Sequence, residues 1–310
     1  MKLFTGYQKI TSKLNSSVIT IGNFDGVHIG HRRILQYLLE QAKKENQLAC
    51  VYTFKPHPRF ALRKISEIEL ITSYDERARL ISKLGVDCLI EEPFNFEFSQ
   101  IDSKTFFSDI LLGKLSATSV VVGHDFAFGK NRDGNLGSLA RFCKESNIRL
   151  KIFEAQKNEN GEIISSSVIR QMIRQGKVKD ANQFLGRPFH YEGPVVHGHR
   201  RGGQIGIPTA NIDLPKEKIR IGTGVYATEI TTPYGIFRGA TNAGFRPTFD
   251  ANEKRFSVET HILNFDKVLY GKIIEVRFIE KIRDEKKFSS VDDLVAQVKR
   301  DIEKVSEILK

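Results

Sequence analysis

Cysteine is scarce in this chain: Cys50, Cys88 and Cys143 are its only three, far apart among 310 residues. An odd, scattered set offers no disulfide framework and no zinc-ligand spacing, and it fits a reducing compartment. No apolar run approaches the length of a membrane span, and the N-terminal MKLFTGYQKI meets polar residues before a signal-peptide core forms. The expected setting is therefore cytoplasmic, without a membrane partner. There is no internal repeat and no low-complexity tract, and the lack of a Walker motif excludes a conventional P-loop. Nor is there a basic tail. The net charge of +11 divides into 27 basic against 20 acidic residues up to Gly186, and 21 against 17 beyond it. A dispersed excess suits substrates carrying several phosphates better than a nucleic acid. Nothing in the chain points to an oligomeric state.

What is present is ordinary globular material, 40% hydrophobic and 27% charged, in a length that suits two domains. In the first part, strand-like runs at Val18–Ile21, Leu48–Phe54, Cys88–Glu91, Ser119–Gly123 and Leu150–Phe153 alternate with helical patterns at Ile34–Lys44, Ser73–Leu84, Ser103–Lys114 and Leu136–Ser146. That rhythm predicts an α/β, Rossmann-like domain with a parallel sheet, whose ligands sit beyond the carboxyl ends of the strands. After Gly186-Arg187-Pro188 short strand-like runs dominate: Tyr191–His197, Val225–Thr231, Ile236–Ala243, Phe256–Leu263 and Ile273–Ile282. They predict a small antiparallel β-barrel. A C-terminal helix follows from about Val291, capped by Ser289 or Ser290, with an apolar stripe that includes Val298, Ile302 and Val305. The expected domains are residues 1–186 and 187–310.

The segment GNFDGVHIGH, residues 22–31, joins the first strand to the first helix. His28 and His31, three apart, share a helix face. Gly30 between them leaves room for a ligand to approach the backbone. The helix N-terminus adds unpaired N–H groups and partial positive charge. Together these suit nucleotide phosphates. Capping or surface histidines are the plainer alternative, and a metal pair lacks a third ligand at the usual spacing.

Three more segments fall in the same part. In FKPHPRF, residues 54–60, Pro56 and Pro58 stiffen a loop that holds His57 and Arg59 at a strand's carboxyl end. In GHDFAFGKNRDG, residues 123–134, glycines permit a tight loop, Phe126 and Phe128 pack or stack, and Asp125, Asn131 and Arg132 supply polar contacts. In ISSSVIR, residues 164–170, Ser165, Ser166 and Ser167 either cap a helix or, with Arg170 one turn on, bind a triphosphate.

The strand–turn–HxGH–helix arrangement resembles the HxGH nucleotidylyltransferases. The longer GNFDGVHIGH, with the other three segments in order and spacing, is similar to the bacterial bifunctional riboflavin kinase/FAD synthetases. Ser167 stands where threonine is usual in that family's SSTxIR-type motif. The resemblance implies transfer of AMP from ATP to FMN, giving FAD and pyrophosphate. It implies an ATP site of Gly22, Asn23, Phe24, Asp25, His28, Gly30, His31, Asp125, Ser165, Ser166, Ser167 and Arg170, with His28 and His31 donating to phosphate oxygens. It implies an FMN site of Phe54, His57, Pro58, Arg59, Phe126, Phe128, Asn131 and Arg132, and Mg²⁺ accompanying the triphosphate.

The second part carries GIPTAN, residues 206–211. Pro208 fixes the backbone before Thr209 and Asn211, which point the same way if the segment is extended. Their side-chain oxygens are hard ligands suited to Mg²⁺. In context the segment resembles the riboflavin kinase signature, and GVYAT from Gly224, NAGFRPTF from Asn242, FSVETHIL around Glu259 and LYGKIIEVRF from Leu269 extend the likeness. The resemblance implies an ATP and flavin site of Gly206, Pro208, Thr209, Asn211, Asn242, Arg246 and Glu259, with Glu259 as the base that accepts the ribityl hydroxyl proton. The chain departs from the family at Gly203, where arginine is common, at Ile207, where phenylalanine is common, and at His199, where an acid is frequent. Two other readings follow: an FAD synthetase with an impaired kinase domain, and, from charge alone, a flavin-responsive RNA-binding regulator.

Overall fold

The computed structural model describes residues 1–63, 69–197, 206–247 and 254–310, without the side chains of Arg63, Arg246, Pro247, Lys254 and Arg255. His199 and Gly203 lie outside the described residues, as does the side chain of Arg246. The chain forms two compact units, Met1–Ser166 and Ser167–Lys310.

The first unit is built on a six-stranded parallel sheet in the order β1-β4-β3-β2-β5-β6. The strands are β1 (Lys2–Phe4), β2 (Ser17–Ile21), β3 (Leu48–Lys55), β4 (Cys88–Pro93), β5 (Ala117–Gly123) and β6 (Arg149–Phe153). The five runs expected from hydropathy are β2 to β6. The edge strand β1 is too short to carry an apolar pattern. The helices are α1 (Ile29–Lys44), α2 (Pro58–Arg63), α3 (Tyr74–Lys83), α4 (Phe96–Ser99), α5 (Ser103–Thr105) and α6 (Leu136–Glu145).

Every residue of β2 is buried, because helices cover both faces of the sheet. Leu35, Leu38 and Ala42 of α1 pack on one face with Ile81 of α3. Leu139 and Cys143 of α6 pack on the other with Phe106, Phe107, Ile110 and Leu111. Those last four belong to a π-helical stretch, Phe106–Lys114, where the pattern predicted a continuous α-helix. The Ser73 hydroxyl accepts from Glu76 N while the Glu76 carboxylate accepts from Ser73 N, a reciprocal cap that starts α3. The chain passes from β2 to β3 and β4 on one side, and to β5 and β6 on the other. Its winding reverses between β2 and β5, so the loops that follow those two strands flank the cleft where such sheets bind ligands.

The second unit holds α7 (Ser166–Arg174, which begins at the boundary), α8 (Val178–Leu185), a closed antiparallel barrel and the C-terminal α9 (Val291–Ile308). The barrel strands are β7 (Phe189–Val196), β8 (Ala210–Ile212), β9 (Gly224–Thr232), β10 (Gly235–Pro247), β11 (Lys254–Ile262) and β12 (Ile273–Arg283), in the order β10-β11-β8-β7-β12-β9. Helix α8 stops where Gly186 takes a left-handed conformation (φ 65°), as a glycine cap allows. Yet α8 already belongs to the barrel: the Asn182 amide donates to Phe278 O at 2.8 Å and accepts from Phe189 N at 2.7 Å. The compact division therefore falls after Ser166, before the break at Gly186 that composition suggests.

Inside the barrel, Tyr191 and Tyr226 meet Phe278 edge to face. The buried hydroxyls of Thr228, Thr241 and Thr260 form a chain with links of 2.7 and 2.9 Å, so each is satisfied away from water. Ser290 caps α9, accepting from Asp293 N at 3.1 Å. Val305 of that helix packs on Ala227 and Ala240, and its Asp301 carboxylate is buried against the Arg283 guanidinium, 2.8 Å from Nη2.

Candidate functional site

The loop after β2 is held in a strained shape. Phe24, Gly26 and Val27 all have positive φ (50°, 83° and 39°), which is costly for the β-branched Val27. The Asp25 carboxylate, 3% exposed, secures it by accepting from Ile71 N at 2.9 Å and Thr72 N at 3.2 Å. The Ser166 hydroxyl donates to Asp25 O at 2.9 Å. Asp25 thus shapes the loop from within. Asn23 Oδ1 is buried and accepts no hydrogen bond within the described residues.

His28 is the N-cap of α1, and its Nδ1 accepts from His31 N at 3.3 Å. That contact requires Nδ1 to be unprotonated and puts the proton of a neutral ring on Nε2, as a donor. The two imidazoles stack with centroids 3.6 Å apart. A Cβ on Gly30 would lie 3.2 Å from Cε1 and Nδ1 of His28, so the missing side chain gives room to the folded ring.

At the end of β3, His57 is buried, and its Nδ1 accepts from Arg59 N at 3.2 Å, while Arg59 is exposed. His57 N donates to Tyr74 Oη at 2.9 Å. Phe54 lies 5.5 Å from Phe94 and 6.1 Å from Phe98. Phe98 and Phe106 continue the array to Phe128, which stacks on Phe126 at 5.2 Å. A ring at the end of β3 and the rings of the loop after β5 are therefore joined through Phe98 and Phe106, which the motifs do not include. The loop after β5 is closed by paired backbone hydrogen bonds between Phe128 and Gly134. Asp133 fixes it by accepting from Ser103 N and Oγ, both at 3.2 Å. Asp125, Asn131 and Arg132 are exposed on this loop. Ser165 precedes α7, and Ser167 and Arg170 lie on α7 in the second unit.

The motifs also do not include Arg77 of α3 and Glu91 of β4, both buried charges. Their ion pair is 2.7 Å long. Arg77 Nη1 donates to Asn23 O at 3.0 Å and Nη2 to Phe54 O at 3.2 Å. The available signal was an arginine one turn before Ile81, on the apolar stripe of α3.

In the barrel, strand register assembles the second constellation. Glu259 of β11 lies directly opposite Asn211 of β8 and, on its other side, Asn242 of β10. Residues so paired share a face, with Cβ atoms about 4.5–5.5 Å apart. All three side chains are half-buried, on the face opposite the Thr241 and Thr260 hydroxyls. Thr209 precedes β8, while Pro208 O is 2.8 Å from His261 Nδ1, tying the PTAN segment to β11. Hydroxyl and amide oxygens beside a carboxylate form a hard donor set that fits Mg²⁺.

One other group has metal-like composition: ligand atoms of His190, Glu192 and Glu275 lie within 4.8 Å of one another. Arg277 Nε already pairs with Glu275 at 2.5 Å, so the charge there is met from within the protein. Burial, aided by the Lys218 ammonium, pushes the His190 imidazole down to about 3. A depressed histidine favours folding above the unfolded value near 6.5, and that contribution is lost as pH falls from there towards about 3. Urea unfolding midpoints across pH 7 to 4 are expected to fall less steeply for His190→Asn than for the natural chain. Equal slopes would remove His190 as a source of acid lability.

Comparison with known proteins gives an independent view of both parts of the chain. Residues 10–168 match the model of the family described as FAD synthetase, and residues 185–309 that described as riboflavin kinase. A bifunctional riboflavin kinase/FMN adenylyltransferase of Buchnera aphidicola subsp. Schizaphis graminum is 35% identical over 98% of this chain and 97% of its own length. The Escherichia coli K12 protein of the same description is 35% identical over 97% of this chain and 96% of its own. A solved structure described as a macrolide-efflux protein from Streptococcus pneumoniae superposes with a TM-score of 0.87, at 31% identity and 97% coverage of both chains. Among the described residues, no helix is long and apolar enough to cross a membrane.

Proposed function

The chain belongs to the bifunctional riboflavin kinase/FMN adenylyltransferase family, and from that premise we propose how its own residues divide the two reactions. It phosphorylates riboflavin to FMN and adenylylates FMN to FAD, spending one ATP at each step. The observation that carries the division of labour is that the His28–His31 loop and the aromatic array belong to the first unit, while Asn211, Glu259 and Asn242 are paired within the barrel of the second.

In adenylyl transfer, an FMN phosphate oxygen attacks the α-phosphorus of ATP, and the bond to the departing pyrophosphate breaks. The nucleophile is already an anion, so the protein needs no general base; it must align the reactants and stabilise the developing charge. His28 Nε2–H supplies a donor for a phosphate oxygen, with His31 stacked against it. The GNFDG loop receives the nucleotide, and Asn23 Oδ1 offers it an acceptor. Flavin chemistry fits the aromatic array that includes Phe54, Phe126 and Phe128, with Arg59, Asn131 and Arg132 exposed towards a charged or polar ligand.

In the kinase reaction an alcohol must lose its proton as it attacks the terminal phosphorus of ATP, and the bond to the departing ADP breaks. Glu259 accepts that proton, and neutral Asn211 and Asn242 flank it without competing as bases. Thr209 and Asn211 are the residues that would hold Mg²⁺, which when bound offsets the triphosphate charge. The free, buried cysteines support a cytoplasmic enzyme acting on small molecules.

The test is a timed incubation of the full chain with riboflavin, ATP and Mg²⁺, with products separated. FMN is expected to appear first, followed by FAD and pyrophosphate. Conversion of added FMN to FAD without any FMN formation from riboflavin would select the impaired-kinase reading. Absence of both products would overturn the proposal.

A further inference from the structure

We propose that Arg77, paired with Glu91, is a positioning residue for adenylyl transfer, setting the separation between the nucleotide loop and the acceptor loop. The inference rests on the reading of the first unit's cleft as the adenylyltransferase site. Arg77 is 3% exposed and Glu91 is 7% exposed, so neither is a surface charge. One guanidinium reaches the carboxyl ends of three neighbouring parallel strands. It donates to the carbonyl of Asn23 just beyond β2 (3.0 Å) and to that of Phe54 in β3 (3.2 Å), and it pairs with the Glu91 carboxylate of β4 (2.7 Å). The Thr53 hydroxyl also donates to Asn23 O, at 3.3 Å. The Tyr74 ring lies 5.1 Å from the guanidinium, and its hydroxyl oxygen accepts from His57 N, in the FKPHPR loop.

Packing alone does not account for this arrangement. Ile81, one turn further along α3, already fills the core, and an aliphatic side chain at position 77 would avoid the cost of burying a charge. What a planar guanidinium adds is several donors in a fixed fork, able to hold two carbonyls and a carboxylate at once. The two carbonyls belong to the loop leading to His28 and to the strand end leading to His57 and Arg59. In-line transfer needs the α-phosphorus and the attacking oxygen aligned, and a misplacement of about 1 Å costs about 100-fold in rate. A clamp between these loops therefore acts on kcat more than on binding of either substrate alone.

The experiment uses the full chain and the variants Arg77→Lys and Glu91→Gln, with FAD formation from FMN measured as kcat and KM below the onset of thermal unfolding. Riboflavin phosphorylation in the same preparation is the internal control. Lysine keeps the charge but loses the fork. Arg77→Lys is expected to lower kcat of FAD formation about 100-fold, with KM for ATP within about threefold of normal and the kinase rate unchanged. Glu91→Gln, which keeps an acceptor but frees the fork to tilt, is expected to lower kcat by about tenfold. A near-normal kcat in folded Arg77→Lys, or a change confined to KM, would overturn the proposal. Should Arg77→Lys fail to fold, Glu91→Gln decides alone, and a normal kcat there overturns it. If the natural chain makes FAD and His28→Ala does not, while both variants work normally, only the positioning role falls. If the natural chain makes no FAD, the reading of the cleft falls with it.

Discussion

Replacement of His28 by alanine is expected to abolish FAD formation while riboflavin phosphorylation continues. The imidazole has two jobs in the structure. It caps α1 through Nδ1, and by that contact it keeps its proton on Nε2. Loss of a cap costs about 0.5–2 kcal/mol, which a domain of this size tolerates. Loss of a donor to a phosphate oxygen as charge develops is larger, about 10²–10³-fold for comparable donors. Alanine also removes the stacking contact made with His31 at 3.6 Å. His28→Asn separates the two jobs: asparagine is a strong N-cap and restores helix stability, but its shorter amide does not reach where Nε2 stood. FAD formation from FMN and FMN formation from riboflavin, followed in parallel, provide the measurement. Equal loss of both activities in a folded alanine variant would contradict separate sites.

Glu259→Gln is expected to collapse kcat for riboflavin phosphorylation by about 10²–10⁴-fold, the usual contribution of a positioned base. The substitution preserves shape and hydrogen-bonding capacity, so KM for riboflavin should change little and FAD formation from supplied FMN should be normal. The strand register makes this a sharp test. On both sides Glu259 has an asparagine as its direct neighbour, Asn211 on β8 and Asn242 on β10. Neither amide can replace a carboxylate as proton acceptor at neutral pH. A near-normal steady-state rate in the glutamine variant would remove Glu259 as the base.

Much of this was legible in the sequence because it is local. Five of the parallel strands announce themselves as short apolar runs, α9 by its stripe and its Ser290 cap, and the break after α8 by Gly186. The motif segments are contiguous, so candidate residues could be named from their resemblance to a family before any fold was known. The less legible parts depend on partners far apart in the chain. β1 is three residues long and becomes a strand only because β4 supplies its hydrogen bonds. Asn182 reaches Phe278 O across the sequence, which draws α8 into the barrel. The aromatic array needs Phe98 and Phe106 to bridge the end of β3 and the loop after β5.

The amino-acid sequence by itself determined that this protein has an α/β part and a β part, since periodicity, caps and turn residues act within a few positions; the link from short segments to each reaction rests on their resemblance to a family. Only the tertiary structure decided that Asn211, Glu259 and Asn242 stand side by side, because register is set by pairing between strands distant in sequence. It also decided that Asp25 faces inward, that Gly30 makes room for the His28 ring, and that Arg77 spans three strand ends. Each of these follows from where a buried polar group finds its partner, and such a group accepts whichever partner the fold brings within about 3 Å.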